Sequence, residues 1–101
     1  MESKSIFVEV FGDNPIIRVL DFLITFQLFD YPLTEIAKKS RVSYSTLQTF
    51  WEKLEGNKIV IKTRRVGKSD LYKLNMSNPA IQQLIKLDLN LIKGVEEPIF
   101  A

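Results

Sequence analysis

The longest periodic stretch of apolar residues begins after Asn14 and Pro15, a pair typical of a helix N-cap and first helical position. Its apolar positions, which follow helical spacing, are Ile16, Val19, Leu20, Leu23, Ile24 and Leu28. This pattern predicts an amphipathic helix that forms the floor of the core. The helix is expected to end at Asp30-Tyr31-Pro32, because the residue before a proline is pushed into an extended conformation.

Two shorter helices are predicted between residues 34 and 57. The first spans 34–40 with Thr34 as its cap, and the second spans Tyr44 to Gly56 with Ser43 as its cap. The turn Arg41-Val42-Ser43 joins them. The apolar or small residues that would pack the pair are Ile36, Ala37, Ser40, Val42, Leu47, Phe50, Trp51 and Leu54. This order predicts a helix-turn-helix in which Trp51 is a core residue, a stacking platform for a base being the alternative.

A basic β-hairpin is predicted directly after these helices, over residues 59–75. Side-chain alternation would place Lys62 and Arg64 on one face of the first strand. Arg65 and Lys68 would lie at or beside the turn around Gly67, where long cations can reach a phosphate or a narrow minor groove. A basic turn that only increases solubility is the alternative, but the neighbouring helix-turn-helix favours phosphate contact.

The two ends of the chain suggest additional elements. Ser5 to Phe11 alternates loosely and predicts an N-terminal strand that is apolar on both faces. Asn78-Pro79 repeats the cap and proline pattern and predicts a C-terminal helix over 79–93 that Gly94 ends. The tail beyond it, with Pro98, Ile99 and Phe100, is compatible with local packing and with disorder.

The C-terminal helix has apolar residues on more than one face. These residues are Ala80, Ile81, Leu84, Ile85, Leu87, Leu89, Leu91 and Ile92. A helix wetted on one side would not need so many, so we expect burial against a second copy of the chain. The sequence therefore predicts a homodimer through this helix, with the N-terminal strand as a further contact. The alternative is a helix that wraps only its own domain.

The order of two helices and a basic hairpin resembles the winged-helix DNA-binding regulators of prokaryotes. Residues 57–67 (NKIVIKTRRVG) and 71–74 (LYKL) are similar to archaeal members, and the resemblance spans about residues 14–93. It implies an α+β, mostly helical fold: a winged helix-turn-helix with a three-helix core and a β-hairpin wing. With the extra N-terminal strand and C-terminal helix, residues 1–101 would form a single domain.

One position departs from the pattern of these regulators. Arg41 stands where the turn usually has glycine, which tolerates a positive φ that costs other residues about 1 kcal/mol or more. Arg41 is therefore expected either to adopt this backbone conformation or to contact a phosphate.

The second helix would be the recognition helix in the major groove, with the wing on the backbone or minor groove. Gln48 is the main candidate for base readout because its amide can form two hydrogen bonds with adenine, although an exposed polar residue without a role fits equally. Tyr44 would contact a sugar or a thymine methyl, or else cover its own helix cap. The predicted DNA-binding residues are Thr34, Lys38, Arg41, Ser43, Tyr44, Ser45, Thr46, Gln48, Thr49, Lys53, Lys62, Arg64, Arg65 and Lys68.

Charge is distributed unevenly along the chain. From Glu35 to Lys73 there are ten basic and four acidic residues, a net charge of +6, whereas the whole chain carries +2 and the remainder therefore −4. Such segregation is expected where one face approaches a phosphate backbone. A lysine-rich solvated surface would have the same composition.

The composition argues against catalysis and metal binding. The chain has no cysteine and no histidine, so it lacks thiolate ligands, disulfides, and the commonest general base. Ser43 and Ser45 have no evident activating partner, and no glycine-rich phosphate loop is present. No enzyme activity, metal or cofactor is predicted. The apolar run over 19–28 is too short to span a bilayer and no signal peptide is evident, so a cytoplasmic protein is expected.

The predicted function is sequence-specific binding of double-stranded DNA by a homodimeric transcription regulator. The apolar C-terminal helix and N-terminal segment favour one alternative, a winged-helix module for protein interaction or assembly that does not bind DNA. A chromatin-like architectural protein, sensitive to salt but almost indifferent to sequence, lies between the two.

Overall fold

The computed structural model describes residues 4–96, which form five α-helices and three β-strands. The elements in chain order are α1 (Ile6–Phe11), α2 (Pro15–Thr25), β1 (Tyr31–Pro32), α3 (Leu33–Ser40), α4 (Tyr44–Gly56), β2 (Val60–Val66), β3 (Ser69–Leu74) and α5 (Pro79–Glu96). The predicted tail residues Pro98, Ile99 and Phe100 lie outside the described residues. The architecture is the predicted mostly helical α+β winged helix, in which α2, α3 and α4 pack beside a hairpin wing.

Helix α2 packs into the core, as predicted, but its predicted end was wrong, because the helix stops at Thr25 rather than at Asp30. Asn14 accepts a hydrogen bond from the Ile17 N–H and Pro15 begins the helix, so the predicted cap is confirmed. Val19, Leu23 and Ile24 are buried, together with Phe22, which the predicted stripe omitted. The stripe was wrong at Ile16 and Leu28, which are exposed. Leu28 is exposed because α2 ends at Thr25 and leaves it in the following turn.

The predicted strand over Ser5–Phe11 is wrong, because this segment is the helix α1. The Ser5 side chain accepts a hydrogen bond from the Val8 N–H and caps the helix, and Gly12 ends it at a φ of 104°. Phe7 and Phe11, one turn apart, bring their ring centroids within 5.0 Å. Helical spacing thus buries Phe7 and Val8 on one side of α1, which a strand would have separated.

The predicted helix-turn-helix is present as α3 and α4. Ser43 caps α4 as predicted, since its Oγ accepts a hydrogen bond from the Thr46 N–H. Thr34 does not cap α3, and this prediction was wrong. Pro32 occupies the N-cap position without a side-chain hydrogen bond, because β1 leads directly into the helix and makes Thr34 its second residue.

The wing is part of a three-stranded antiparallel sheet with strand order β1-β3-β2. Gly67 and Lys68 form its turn, and the positive φ of 61° at Gly67 matches a type II′ hairpin, which favours glycine at the first turn position. A β-bulge interrupts β2: Lys62 lies opposite Tyr72, whereas Arg64 lies opposite Leu71. Thr63 is therefore an extra residue in the ladder.

The bulge corrects the predicted orientation of the wing cations. Tyr72 and Leu71 are consecutive on β3 and point to opposite faces, and each β2 residue shares the face of its cross-strand partner. Lys62 and Arg64 therefore lie on opposite faces of the sheet, not on one. Lys62 shares the face of Tyr72, and this face packs on α4. The rings of Trp51 and Tyr72 meet there edge to face, with 5.3 Å between their centroids.

Helix α5 extends three residues beyond its predicted end, from Lys93 to Glu96. Gly94 lies inside the helix rather than at its end. An interior glycine lowers helix stability by about 1 kcal/mol, which does not by itself end a helix. Ile81 is buried in the core, whereas Leu87, Leu89 and Ile92 are exposed. Among the described residues, no helix has the length and apolar character required to cross a membrane.

Candidate nucleic-acid interface

One face of α4 is buried and the other is open to solvent. Leu47 and Trp51 are 0% and 4% exposed, so the prediction that Trp51 is a core residue is confirmed. Exposed polar residues line the outer face of the helix, namely Ser45, Gln48, Thr49, Glu52 and Lys53. The outer face is therefore available to a groove of DNA in the monomer.

The hydroxyl groups at the start of α4 already have hydrogen bonds within the protein. Ser43 Oγ lies 2.8 Å from Thr46 Oγ1 and 3.3 Å from Ser45 Oγ. Thr49 Oγ1 donates to the Thr46 carbonyl at 2.6 Å. Ser43 and Thr46 thus stabilise the first turn of the helix, whereas the Gln48 amide has no hydrogen bond within residues 4–96. Gln48 therefore presents an exposed amide whose hydrogen-bonding groups are not used within the described part of the chain.

A shallow groove of about 230 Å³ separates the beginnings of α3 and α4 from the wing. Thr34 and Tyr44 lie on its helical side and Lys68 on its wing side. The structure thus brings three of the predicted site residues together. Tyr44 is 44% exposed, although its neighbours in the groove include the buried Tyr72. The start of α4 and the tip of the wing therefore lie on the same side of the molecule.

Arg64 is engaged away from this groove. Its Nε and Nη2 donate to the two carboxylate oxygens of Asp30 at 3.0 and 3.2 Å, and Thr63 Oγ1 also donates to Asp30. The Arg64 guanidinium, followed by the Thr63 hydroxyl, lowers the pKa of Asp30, and the carboxylate in turn raises the pKa of Arg64. Arg64 therefore links the bulged strand to the segment before β1, a role that the sequence did not predict.

Asp70 is the second carboxylate that pairs with wing cations. Its oxygens lie 3.4 Å from Lys62 Nζ and 3.9 Å from Arg65 Nε. It also lines the groove beside Lys68. Lys68 itself makes no ion pair with any residue that the structure describes. The wing is thus less positive than its lysine and arginine content suggests.

The sequence pattern did not reveal the acidic residues in and around the candidate interface. Asp30 and Asp70 were not assigned to the site, and Glu52 lies on the exposed face of α4 one turn after Gln48. Because Glu52 follows Gln48 by four residues in the predicted helix, its position on the same face could have been predicted from the sequence. The pairing of Asp30 with Arg64 spans 34 residues and depends on the bulge, so no local pattern revealed it.

The turn between α3 and α4 adopts a conformation that usually requires glycine. Arg41 has φ 59° and ψ 43°, in the left-handed region. A positive φ was one of the two alternatives predicted for this residue. The Val42 N–H donates to the Ala37 carbonyl and the Arg41 N–H to the Lys38 carbonyl, which together form a Schellman motif. Arg18 Nη1 donates to the Arg41 carbonyl at 3.0 Å, so a side chain of α2 supports the turn.

The remaining predicted site residues are also on the surface. Lys38 lies on the exposed side of α3, and Lys53 lies two turns or more beyond Tyr44 along α4. Within residues 4–96, no group of three acidic side chains is arranged to hold a metal ion.

Asp13 orients the Arg18 side chain that supports the turn between α3 and α4. Because Asp13 and Arg18 form an ion pair, the stability of the protein is expected to depend on pH. Arg18 Nε lies 2.5 Å from Asp13 Oδ1, and Lys4 Nζ lies 3.3 Å from Asp13 Oδ2. The Arg18 hydrogen bond lowers the pKa of Asp13 from 3.8 to about 2, with a smaller contribution from Lys4. Because the folded-state pKa is the lower one, the stabilisation is present above pH 3.8 and is lost as the pH falls through about 2.

We therefore expect Asp13→Asn to lower the urea midpoint of unfolding at neutral pH, and the two proteins to converge as the pH approaches 2. Glu52→Gln is the control, because Glu52 is an exposed carboxylate without an ion pair in the described part of the chain. Midpoints of wild type and Asp13→Asn that differ by the same amount at every pH would contradict the assignment.

Two solved structures have the same fold as this protein. The antimony-specific transcriptional repressor AntR aligns over 82% of this chain and 71% of its own, with a TM-score of 0.60 and 18% sequence identity. A mutant of Lactococcus lactis ZitR in the apo form aligns over 88% of this chain and 70% of its own, with a TM-score of 0.64 and 14% identity. At these identities the similarity concerns the fold.

No family model and no curated protein sequence matches this chain. The structural similarity confirms the predicted winged-helix fold.

Proposed function

We propose that this protein is a transcription regulator that binds double-stranded DNA in a sequence-specific manner. The observation that carries the proposal is the position of the first turn of α4 and the tip of the wing on two sides of one groove, with Tyr44 and Lys68 facing it. The fold shared with the repressor AntR supports it. In this proposal α4 lies in the major groove and the wing contacts the adjacent phosphates or minor groove.

Different residues have different roles in this arrangement. Gln48 reads a base, and Tyr44, Ser45 and Thr49 make polar or apolar contacts near it. Lys62, Arg65 and Lys68 lie on or beside the wing face that packs on α4 and neutralise phosphates. Arg64, which pairs with Asp30 on the other face, maintains the shape of the wing. Thr34, Lys38, Arg41 and Lys53 contact the DNA backbone at the edges of the interface.

Selection from a pool of random duplexes tests the proposal most directly. At low salt the protein should retard duplex DNA at micromolar concentration, and repeated selection should enrich a motif. The logarithm of the affinity should fall linearly with the logarithm of the salt concentration. Binding without enrichment would favour an architectural protein, and absence of retardation would exclude DNA binding and favour an interaction module.

Asp70 provides a prediction that distinguishes this interface from a generally basic surface. We expect Asp70→Asn to strengthen binding to every duplex by roughly 5- to 10-fold at 0.1 M salt, because it removes a negative charge from the groove and releases Lys62 and Arg65. Fluorescence anisotropy with labelled duplex measures the change. Glu9→Gln, which removes the same charge from the exposed side of α1, should change the affinity much less. Equal effects of the two variants would contradict the assignment.

We also propose that the protein is a homodimer through α5, with α1 beside it. The two helices contact each other, and each exposes large apolar side chains. These are Val10 and Phe11 on α1, and Leu87, Leu89 and Ile92 on α5. Leu89 is 51% exposed, and a charged residue there, as in Leu89→Glu, should convert the dimer to a monomer in sedimentation equilibrium.

The specificity of AntR for antimony is not part of this proposal. The 101 residues contain neither cysteine nor histidine, the side chains that supply soft sulfur and imidazole ligands to metals. The proposal therefore covers DNA binding and dimerisation, and not the sensing of a metal.

A further inference from the structure

The chain leaves α4 through a second residue with a left-handed backbone, Lys58, and this exit is held by the segment before α5. Lys58 has a φ of 61°. Its carbonyl oxygen accepts hydrogen bonds from Asn75 Nδ2 at 3.0 Å and from Asn78 Nδ2 at 2.9 Å. The Asn75 N–H also donates to the Ile59 carbonyl at 2.9 Å. Two asparagine side chains thus hold the carbonyl at the end of the proposed recognition helix.

Asn78 connects two helices with a single amide group. Its Oδ1 accepts a hydrogen bond from the Ala80 N–H at 2.9 Å, in the first turn of α5, while its Nδ2 donates to Lys58 at the end of α4. The two bonds tie the first turn of α5 to the residue that follows the C-cap of α4, and so limit how far the two helix ends can separate. We propose that Asn78 is a positioning residue through which α5 orients α4 for DNA binding, an inference that rests on the proposed function.

The helix before α4, α3, ends in a comparable arrangement. There the left-handed residue is Arg41, and its carbonyl accepts a hydrogen bond from Arg18 of α2. Lys58 also follows a Schellman motif, in which the Ile59 N–H donates to the Leu54 carbonyl. Two Schellman motifs therefore flank α4, one that ends α3 before it and one that ends α4 itself. In each motif a side chain from a different helix or loop holds the carbonyl of a non-glycine residue of positive φ. Side chains from other elements thus brace the backbone before and after α4.

Asn78→Asp tests the link while preserving the helix cap. Aspartate retains the oxygen that accepts from Ala80 but has no N–H for Lys58. The matched control is Asn57→Asp: Asn57 Nδ2 donates to the Lys53 carbonyl within the same helix end, so this variant adds the same charge without breaking a link to α5. We expect Asn78→Asp to weaken binding to the selected duplex about fivefold, the equivalent of one hydrogen bond, and Asn57→Asp to change it less than about twofold.

Two further measurements separate positioning from simple stability. Amide exchange of Ile59, measured by NMR without DNA, should accelerate in Asn78→Asp and stay unchanged in Asn57→Asp. In a Lys58→Gly background, Asn78→Asp should still weaken binding about fivefold, because glycine relieves the strain of a φ near +61° but keeps the carbonyl that Asn78 holds.

Equal affinities of the two aspartate variants would overturn the proposal, as would unchanged exchange at Ile59. A defect that disappears with Lys58→Gly would also overturn it, because Asn78 would then only support a strained backbone. If the wild-type protein binds no duplex, the proposed function fails, and the exchange comparison still tests the link between α5 and α4.

Discussion

Simultaneous replacement of Arg65 and Lys68 by alanine is expected to weaken binding to every duplex by roughly 10- to 100-fold at 0.1 M salt. Each phosphate contact contributes about 0.9 to the slope of log affinity against log salt concentration. One contact therefore increases the affinity at 0.1 M salt about 8-fold relative to 1 M salt. Loss of two contacts should therefore lower affinity about 60-fold and reduce the slope by about 2. Anisotropy titrations at several salt concentrations measure both quantities.

The matched control for this change is the double variant Lys86→Ala and Lys93→Ala, which removes two exposed cations from α5. Its effect should be small, because these side chains lie outside the groove between α4 and the wing. The expected loss should also be the same for selected and random duplexes, since phosphate contacts carry no sequence information. If the wing variant binds as tightly as wild type, the wing does not contact the DNA backbone.

Leu47→Ala should cause the largest loss of stability, about 2–5 kcal/mol in the free energy of unfolding. Leu47 is 0% exposed, and truncation leaves a cavity in the middle of the core. Because small domains are stable by only about 5–15 kcal/mol, this variant should unfold at a much lower urea concentration. The fluorescence of Trp51, the single tryptophan of the chain, reports the transition.

Gln48→Ala, at the position next to Leu47, should change the DNA sequence preference but not the stability. Gln48 is exposed, so the free energy of unfolding should change by no more than about 0.5 kcal/mol. The sequences enriched from the random pool should change instead, because the lost amide is the proposed base reader. Enrichment of the same motif by wild type and Gln48→Ala would remove Gln48 from the base-reading role.

Elements with strong local patterns were predictable from the sequence. The Asn14-Pro15 and Ser43 caps, the apolar stripe of α4, and the turn at Gly67 each depend on a few neighbouring residues. The N-terminal segment was predicted wrongly because Ile6–Phe11 is apolar at nearly every position. A short run of this kind has no clear period, and its helical form is decided by the Ser5 cap and by contact with other helices.

The candidate site could be predicted as a set of residues but not as a geometry. Exposure of the outer face of α4 follows from its periodicity. The charge balance of the wing does not, because Asp30 reaches Arg64 only through a bulge at Thr63, and Asp70 lies across the hairpin from Arg65. The hydrogen bonds of Arg41 and Lys58 to distant side chains are equally invisible to local patterns.

The bulged strand β2 also affects the solubility of the variants proposed above. It is an outer strand of the sheet, and outer strands offer unpaired backbone groups to which another chain can add, a first step toward aggregation. A bulge and a row of cations oppose such addition. Alanine at several wing cations would therefore remove a barrier to self-association, and loss of DNA binding should be accepted only for samples that light scattering finds free of aggregates.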